Sequence, residues 1–132
     1  MTATATTFPA LLIRHVEGRG RCIIAAQDIA KGTQLLADHT VFVPKADSQY
    51  TDLSVVGRYL FEWNDEGDLC IVLGLGSLIN HSKRENVSLV SNDEDRTMDF
   101  FALTDIAAGE ELVYDYGHDV DELANYYGIP AD

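Results

Sequence analysis

Short apolar runs separated by turn-forming residues predict a chain built mainly from β-strands. Nine such runs of five to seven residues are rich in β-branched, aromatic or leucine side chains. We expect strands over 10–16, 21–26, 33–37, 40–44, 58–63, 70–74, 86–91, 98–104 and 111–116. The polar segment NDEDR (92–96) lies between two of these runs and predicts a hairpin turn.

Helical patterning is confined to two places. The stronger helix is expected in the C-terminal segment, where Asp119 can cap the start, Gly128 can end it and Pro130 follows. Its apolar face would carry Val120, Leu123, Ala124 and Tyr127. A weaker helix is expected over 47–57.

A five-residue segment occurs twice with small changes. Asp-Ile-Ala-Lys-Gly at 28–32 returns as Asp-Ile-Ala-Ala-Gly at 105–109, each time between two β-like runs. An Asp can cap a turn through its carboxylate, and a Gly can adopt positive φ. We interpret the two copies as similar corners of one β-rich fold, although a match this short can also arise by chance.

Composition is that of a single acidic globular domain. The chain has 132 residues, of which 46% are hydrophobic, and no apolar stretch approaches the roughly 20 residues of a membrane span. The formal net charge of −13 argues against binding a nucleic-acid backbone and would suit a basic partner. Solubility alone would also explain the charge.

The N-terminal segment and the cysteines indicate an intracellular, reducing environment. The first residues, MTATATTFPALLIRHV, lack a basic region followed by an apolar one, so we expect no signal peptide and read 1–7 as a disordered tail. Cys22 and Cys70 form no CxxC pair and no zinc-ligand spacing, which favours reduced core thiols over a disulfide.

Polar residues in the segment GSLINHS (76–82) call for partners. The segment follows the apolar run CIVLGLG, so Asn80, His81 and Ser82 are expected to lie partly inside the protein. A buried polar group without a hydrogen bond costs about 1–3 kcal/mol. Either the fold or a ligand must therefore satisfy these groups.

Two further motifs carry candidate chemistry. Gly18-Arg19-Gly20 lies between two predicted strands and could let a ligand approach the backbone, although taken alone the motif is more typical of a plain hairpin turn. Tyr114 and Tyr116 are two apart and should lie on one side of a strand, and Tyr59 is a third aromatic hydroxyl in a β context. Each tyrosine could simply be a core residue, whereas together they would form an aromatic pocket for a cation.

The motifs taken in order resemble the SET-domain protein-lysine methyltransferases. The matching segments are GRGRCIIAAQDIAKGTQLL (18–36), YLFEW (59–63), GSLINHSKRENV (76–87) and FFALTDIAAGEELVYDYG (100–117). The chain looks most like the short stand-alone members of bacteria and large viruses. The resemblance implies a mainly β fold of small curved sheets with a knot-like core, few short helices and a C-terminal helix.

The resemblance also implies a role for each motif. Gly18, Arg19 and Gly20 would hold the methionine part of S-adenosylmethionine, and Asn80 and His81 would bind the same cofactor. Tyr116 is similar to the catalytic tyrosine, Tyr114 to the position that limits the number of methyl groups, and Tyr59 to a tyrosine of the lysine channel. The segments that contain NHS and YDYG are expected to pack against each other, and no metal is required.

The chain departs from the family pattern after NHS. Many members continue with Cys-x-Pro-Asn, whereas this chain has Lys83-Arg84-Glu85-Asn86 and keeps only the Asn. Without a zinc module, residues 119–132 would close the active site over a SET domain at 8–118. Leu123, Tyr126 and Tyr127 are the candidates to cover the adenine, with Tyr127 the predicted cofactor contact; ordinary packing would explain them equally well.

The implied function is transfer of methyl groups to a lysine of a basic protein such as a histone or a histone-like tail, with monomethylation favoured. The small chain and its likeness to dimeric viral members predict a homodimer. Charge, the lack of a long apolar stretch and the N-terminal sequence predict no direct nucleic-acid or membrane binding and a soluble intracellular location. That location would be the cytoplasm in a bacterium, or a host nucleus for a viral protein. The alternatives are a catalytically silent module that binds a cationic peptide or a nucleoside, and an unrelated acidic interaction domain.

Overall fold

Nine strands and a few short helices form the part of the chain that the computed structural model describes, residues 7–118. The strands are β1 (Leu11–Val16), β2 (Gly20–Ala25), β3 (Gln34–Val43), β4 (Leu60–Glu62), β5 (Leu69–Val72), β6 (Asn80–His81), β7 (Val87–Asn92), β8 (Thr97–Ala102) and β9 (Val113–Tyr114). Within residues 7–118, the α-helix α1 spans Ser48–Thr51, and 3₁₀-helices cover Lys45–Asp47, Val55–Tyr59 and Leu75–Leu78. The predicted mainly β fold with few short helices is confirmed.

The strands divide into three small sheets. β1 and β2 form an antiparallel hairpin, β6 and β9 form a parallel pair, and the largest sheet has the order β4-β5-β3-β8-β7. Side chains from these sheets share one apolar core. Its most deeply buried large residues are Ile23, Leu35, Ile79, Val87, Met98, Phe100, Ile106 and Leu112.

The five-stranded sheet curls so that its two outer strands approach each other. Ser91 in β7 donates its hydroxyl to the carbonyl of Trp63, which follows β4, at 2.7 Å. The indole of Trp63 donates in turn to Asp93, beyond the end of β7, at 3.0 Å. These two hydrogen bonds form a seam between the outer strands.

The two similar segments pair with each other, and we call them the corner pair (28–32 and 105–109). Ile29 and Ile106 exchange backbone hydrogen bonds of 2.8 Å in both directions. The carboxylate of Asp28 accepts the N–H of Ala108, and the carboxylate of Asp105 accepts the N–H of Lys31, each at 2.9 Å. The copies thus cap each other reciprocally, which the sequence alone did not predict.

Several predicted elements need correction. The predicted strands 33–37 and 40–44 are one ten-residue strand, β3, which continues through Asp38 and His39. The expected helix over 47–57 is broken into α1 and parts of two 3₁₀-helices. Tyr59 ends a 3₁₀-helix and does not lie in a strand, because β4 begins at Leu60.

Other predictions have mixed outcomes. The hairpin at 92–96 is confirmed, since β7 and β8 pair as antiparallel neighbours with Asn92 opposite Thr97. The last predicted strand, 111–116, is shorter in the structure, where β9 covers only Val113–Tyr114. The predicted C-terminal helix lies outside the described residues, as does nearly all of the predicted tail.

Both cysteines are buried and unpaired, as predicted for core thiols. Burial raises the pKa of the Cys70 thiol to about 11, so this thiol stays protonated at neutral pH. Within residues 7–118, none of the helices has the length and apolar character needed to span a membrane.

Candidate active site

A cavity of about 1120 Å³ brings together nearly all the predicted site residues. It lies between the tip of the β1–β2 hairpin, the 3₁₀-helix Val55–Tyr59, β4 and the paired strands β6 and β9. The predicted residues that line it are Gly18, Arg19, Gly20, Tyr59, Asn80, His81, Tyr114 and Tyr116. The remaining predicted contact, Tyr127, lies outside the described residues.

The turn at Gly18–Gly20 presents backbone to the cavity. Gly18 and Gly20 have φ values of 83° and 80°, which side chains other than glycine rarely adopt. A Cβ built at either position would meet no atom within 4 Å, so the space beside the turn is open. The motif is a hairpin turn, and its position also allows a ligand to approach the backbone closely.

Strand β6 places Asn80 and His81 beside the last strand. Asn80 pairs with Val113 and His81 with Tyr114 in parallel register, so the NHS and YDYG segments pack together as the resemblance implied. The side-chain amide of Asn80 donates to the carbonyl of Arg21 and to Glu111, both at 2.8 Å. Because the protein already engages the side-chain NH₂ group of Asn80, any cofactor contact at this residue involves its side-chain oxygen or its backbone.

His81 has one ring nitrogen satisfied and one that is not. Nδ1 accepts the backbone N–H of Tyr116 at 3.0 Å, which assigns the ring proton to Nε2 in the neutral imidazole. Nε2 is buried and has no hydrogen-bond partner among residues 7–118. A buried donor of this kind calls for an acceptor from outside the described protein atoms.

Four rings line up along one wall of the cavity. Tyr114 stacks on Phe61 with a centroid distance of 5.6 Å and approaches Tyr116 to 4.7 Å, and Tyr116 lies 5.1 Å from His81. The hydroxyl of Tyr116 donates to the carbonyl of Ile79 at 2.8 Å. The two tyrosines therefore lie on one side, as their spacing predicted.

Sequence reasoning missed two residues of this wall. Phe61 is 7% exposed and orients Tyr114, and Ile79 supplies the acceptor for Tyr116. The spacing of Phe61 two residues after Tyr59 could have placed it near the channel. The role of Ile79 could not be predicted, because it depends on a backbone carbonyl and not on a side chain.

Charges of both signs surround the cavity. Its wall includes the acidic residues Asp52, Glu62, Glu85 and Asp115 and the basic residues Arg19, Arg21 and Arg58. Most acidic residues of the chain are therefore not among those that line the cavity. No group of three or more His, Cys, Asp or Glu side chains in residues 7–118 is arranged to hold a metal ion.

These features fit the cofactor that the resemblance implies. S-adenosylmethionine carries hydrogen-bond acceptors that a buried N–H such as that of His81 needs. Its positive sulfonium suits a wall of aromatic rings, and the open glycine turn admits it close to the backbone.

Comparison with known proteins gives one consistent family. The SET domain family model matches residues 20–117. A Schizosaccharomyces pombe protein named histone-lysine N-methyltransferase, H3 lysine-37 specific, is 30% identical over 81% of this chain and 73% of its own length. The Danio rerio N-lysine methyltransferase KMT5A-A is 30% identical over 81% of this chain, which spans only 35% of that relative.

Solved structures support the same fold. A Plasmodium falciparum candidate histone methyltransferase superimposes with a TM-score of 0.64 at 21% identity, covering 86% of this chain and 97% of that one. A Chaetomium thermophilum PRC2 structure bound to S-adenosylmethionine gives a TM-score of 0.68 at 22% identity, covering 84% of this chain and 15% of that one.

Proposed function

Since the chain belongs to the SET-domain family of S-adenosylmethionine-dependent protein-lysine methyltransferases, we propose that it adds one methyl group to a lysine in a basic segment of its substrate. The observation that carries this proposal is the aromatic wall of Phe61, Tyr114 and Tyr116 beside the unpaired Nε2 of His81. The wall suits a lysine side chain, and the buried donor suits a cofactor.

The aromatic wall favours the reactive form of the substrate. A free lysine has a pKa near 10.4 and is protonated at neutral pH, whereas the nucleophile must be the neutral amine. Phe61 and Tyr114 exclude water from one side of the channel, and this desolvation lowers the pKa of an entering amine. The bound cofactor supplies the electrophilic methyl group.

Tyr116 is proposed to orient the amine and not to act as a base. Its hydroxyl proton is directed to the carbonyl of Ile79, so its oxygen can meet an amine N–H only as an acceptor. A fixed acceptor at this point would aim the nitrogen lone pair at the methyl group. Positioning of this kind accounts for much of the rate in two-substrate reactions.

Tyr114 is proposed to limit the product to monomethyl-lysine. Its ring is held between Phe61 and Tyr116, which fixes where its hydroxyl lies. A hydroxyl that holds a water or the amine occupies the space that a second methyl group would need. A preference of about 1.4 kcal/mol, close to the value of one hydrogen bond, gives a tenfold ratio of rates.

Mass spectrometry of a methylated peptide tests this proposal. Wild-type protein should give mainly monomethyl-lysine, and Tyr114→Phe should shift the product toward di- and trimethyl-lysine with little loss in the first methylation. Tyr50→Phe is the matched control, because Tyr50 is 69% exposed and does not line the cavity. Equal product distributions for wild type and Tyr114→Phe at matched turnover would remove Tyr114 from this role.

A basic substrate segment, such as a histone or histone-like tail, is proposed from the net charge of −13. The apparent Michaelis constant for a basic peptide should rise with salt, because exposed charges are screened over about 8–10 Å near physiological ionic strength. An acidic peptide that reacts equally well, without salt dependence, would assign the charge to solubility.

Homodimerisation is also a proposal, supported by the small chain and by exposed apolar side chains at Tyr50, Leu53 and Val55. Light scattering should give twice the 14.6 kDa mass of one chain.

A silent module that binds cationic peptides would use the same aromatic wall. Binding of S-adenosylmethionine without any methyl transfer to lysate proteins would favour that alternative.

A further inference from the structure

Glu111 bridges the two segments that the proposed function assigns to the cofactor. One carboxylate oxygen lies 3.0 Å from Nε of Arg19, on the glycine turn. The other accepts the side-chain amide of Asn80, in β6, at 2.8 Å. A single side chain therefore joins the turn to the NHS segment.

The backbone of Glu111 is firmly anchored. It forms an antiparallel bridge with Ile24 of β2, and its carbonyl accepts the side-chain amide of Asn86 at 2.9 Å. Its neighbour Leu112 is fully buried and donates to the carbonyl of Ile23 at 2.8 Å. The carboxylate thus extends from a rigid point of the core.

Apart from the hydrogen bond of 2.8 Å that Asn80 donates to the carbonyl of the adjacent Arg21, the glycine turn has few other contacts that fix its position. The backbone hydrogen bond from Arg19 to Val16 is local to the hairpin, and β1 is exposed along most of its length. Open space lies where a Cβ at Gly18 or Gly20 would be. Segments with so few packed contacts open easily, so a link to the core should restrict this one.

We infer that Glu111 is a positioning residue that holds the turn and Asn80 at the spacing the cofactor needs. This inference rests on the proposed function and goes beyond it, because Glu111 does not line the large cavity. An isolated exposed ion pair would have little effect. Here the Glu111 side chain is 21% exposed and meets two donors at once, which favours one geometry of the site.

The decisive variant is Glu111→Gln. A glutamine has one acceptor oxygen in place of two, and its NH₂ group would face one of the two donors, Arg19 or Asn80. The dissociation constant for S-adenosylhomocysteine should rise about tenfold, as for the loss of one hydrogen bond to a charged group. The apparent KM for S-adenosylmethionine should rise with it, while kcat at saturating cofactor stays within about threefold.

Hydrogen exchange in the ligand-free protein gives a second readout. The amides of residues 17–21 should exchange faster in Glu111→Gln, with little change in the core strands. Glu110→Gln is the matched control, because Glu110 is exposed and its carboxylate makes only a 3.5 Å contact with Asn86. Both the dissociation constant and the exchange rates should stay at wild-type values in this control.

Arg19→Gln keeps the inference testable if Glu111→Gln fails to fold, since Arg19 lies on an exposed turn. It should speed exchange at 17–21 and weaken binding, because it breaks one of the two contacts. If Glu111→Gln binds S-adenosylhomocysteine as tightly as the wild type, the inference is overturned and the proposed function stands. Exchange rates at 17–21 that are unchanged in both variants would have the same meaning. Wild-type protein that fails to bind S-adenosylhomocysteine would overturn the proposed function together with it.

Discussion

The corner pair and the β6–β9 crossing both join segments far apart in the sequence, but they differ in what they leave unpaired. In the corner pair, Ile29 and Ile106 exchange two backbone hydrogen bonds. The carboxylates of Asp28 and Asp105 then cap the opposite copy. Each copy thus supplies hydrogen-bond partners to the other, and none of these four contacts depends on a ligand.

The β6–β9 crossing is also held by hydrogen bonds, but one buried polar atom in it lacks a partner among the described residues. Tyr116 uses its backbone N–H on Nδ1 of His81 and its hydroxyl on Ile79. Nε2 of His81 is nevertheless buried without a hydrogen-bond partner in the described chain. We therefore expect the self-completing contact to maintain the fold and the incomplete one to be where a ligand gains free energy on binding. Substitutions should therefore affect stability at the first and activity at the second.

The largest effect is expected from Tyr116→Phe at the crossing. The change removes one hydroxyl and keeps the ring, so the packing against Tyr114 should survive while the amine loses its acceptor. Methyl transfer should fall by about 100-fold or more, as for the loss of one catalytic hydrogen-bonding group. The melting temperature should fall by no more than about 4 °C, as expected when the Ile79 carbonyl loses one hydrogen-bond donor. Turnover at the wild-type rate would place the chemistry elsewhere.

At the corner pair, we expect substitutions to have an effect of intermediate size, which lowers stability and leaves activity unchanged. Asp28→Ala and Asp105→Ala each remove the acceptor of an exposed backbone N–H, and each should lower the free energy of unfolding by about 1 kcal/mol. Urea denaturation measures the change, and methyl transfer per folded molecule should be unaffected. Asp47→Ala is the control, because Asp47 makes no capping hydrogen bond. Loss of activity without loss of stability would contradict the division between the two regions.

The smallest effect concerns Asp38, which anchors the loop leading into β6. Its carboxylate accepts the N–H of Gly76 at 2.9 Å, and burial raises the pKa of this carboxyl above its ordinary value. A raised pKa means that the folded state binds the proton more tightly than the unfolded state. The stabilisation from this proton is lost as pH rises through the folded pKa and is fully present below the unfolded one.

Asp38→Asn removes that titration and keeps an acceptor for Gly76. Lowering the pH from 7 toward about 4 should therefore shift the difference in unfolding free energy in favour of the wild type. Urea melts of both proteins across this range measure the shift. A difference that is constant with pH would show that Asp38 has the same pKa in both states.

Local patterning predicted the elements whose contacts are close in sequence. The β7–β8 hairpin and the two corners follow from turn residues at fixed spacing. Patterning failed at β3, where Asp38 and His39 suggested a break, because the partner of Asp38 is Gly76 on a distant loop. Two glycines of that loop also reflect distant contacts. A Cβ at Gly74 would overlap the Asp38 carboxylate, and a Cβ at Gly76 would overlap the Phe100 ring and the same carboxylate.

The candidate site depended on the resemblance more than on patterning. Spacing alone placed Tyr114 and Tyr116 on one side, whereas the meeting of β6 with β9 came from the family likeness. Parallel pairing of two-residue strands leaves no periodic signal in the sequence. Neither patterning nor the resemblance predicted the role of Glu111, because its partners lie on two separate segments.

The seam of the large sheet has a practical consequence for spectroscopy. Trp63 is the only tryptophan of the chain, and it packs against the core with its indole hydrogen bonded to Asp93. It does not line the cavity. Its intrinsic fluorescence should therefore report separation of the outer strands β4 and β7 during unfolding, with little direct response to a nucleoside bound in the cavity. Unfolding can therefore be followed by tryptophan fluorescence without an added dye.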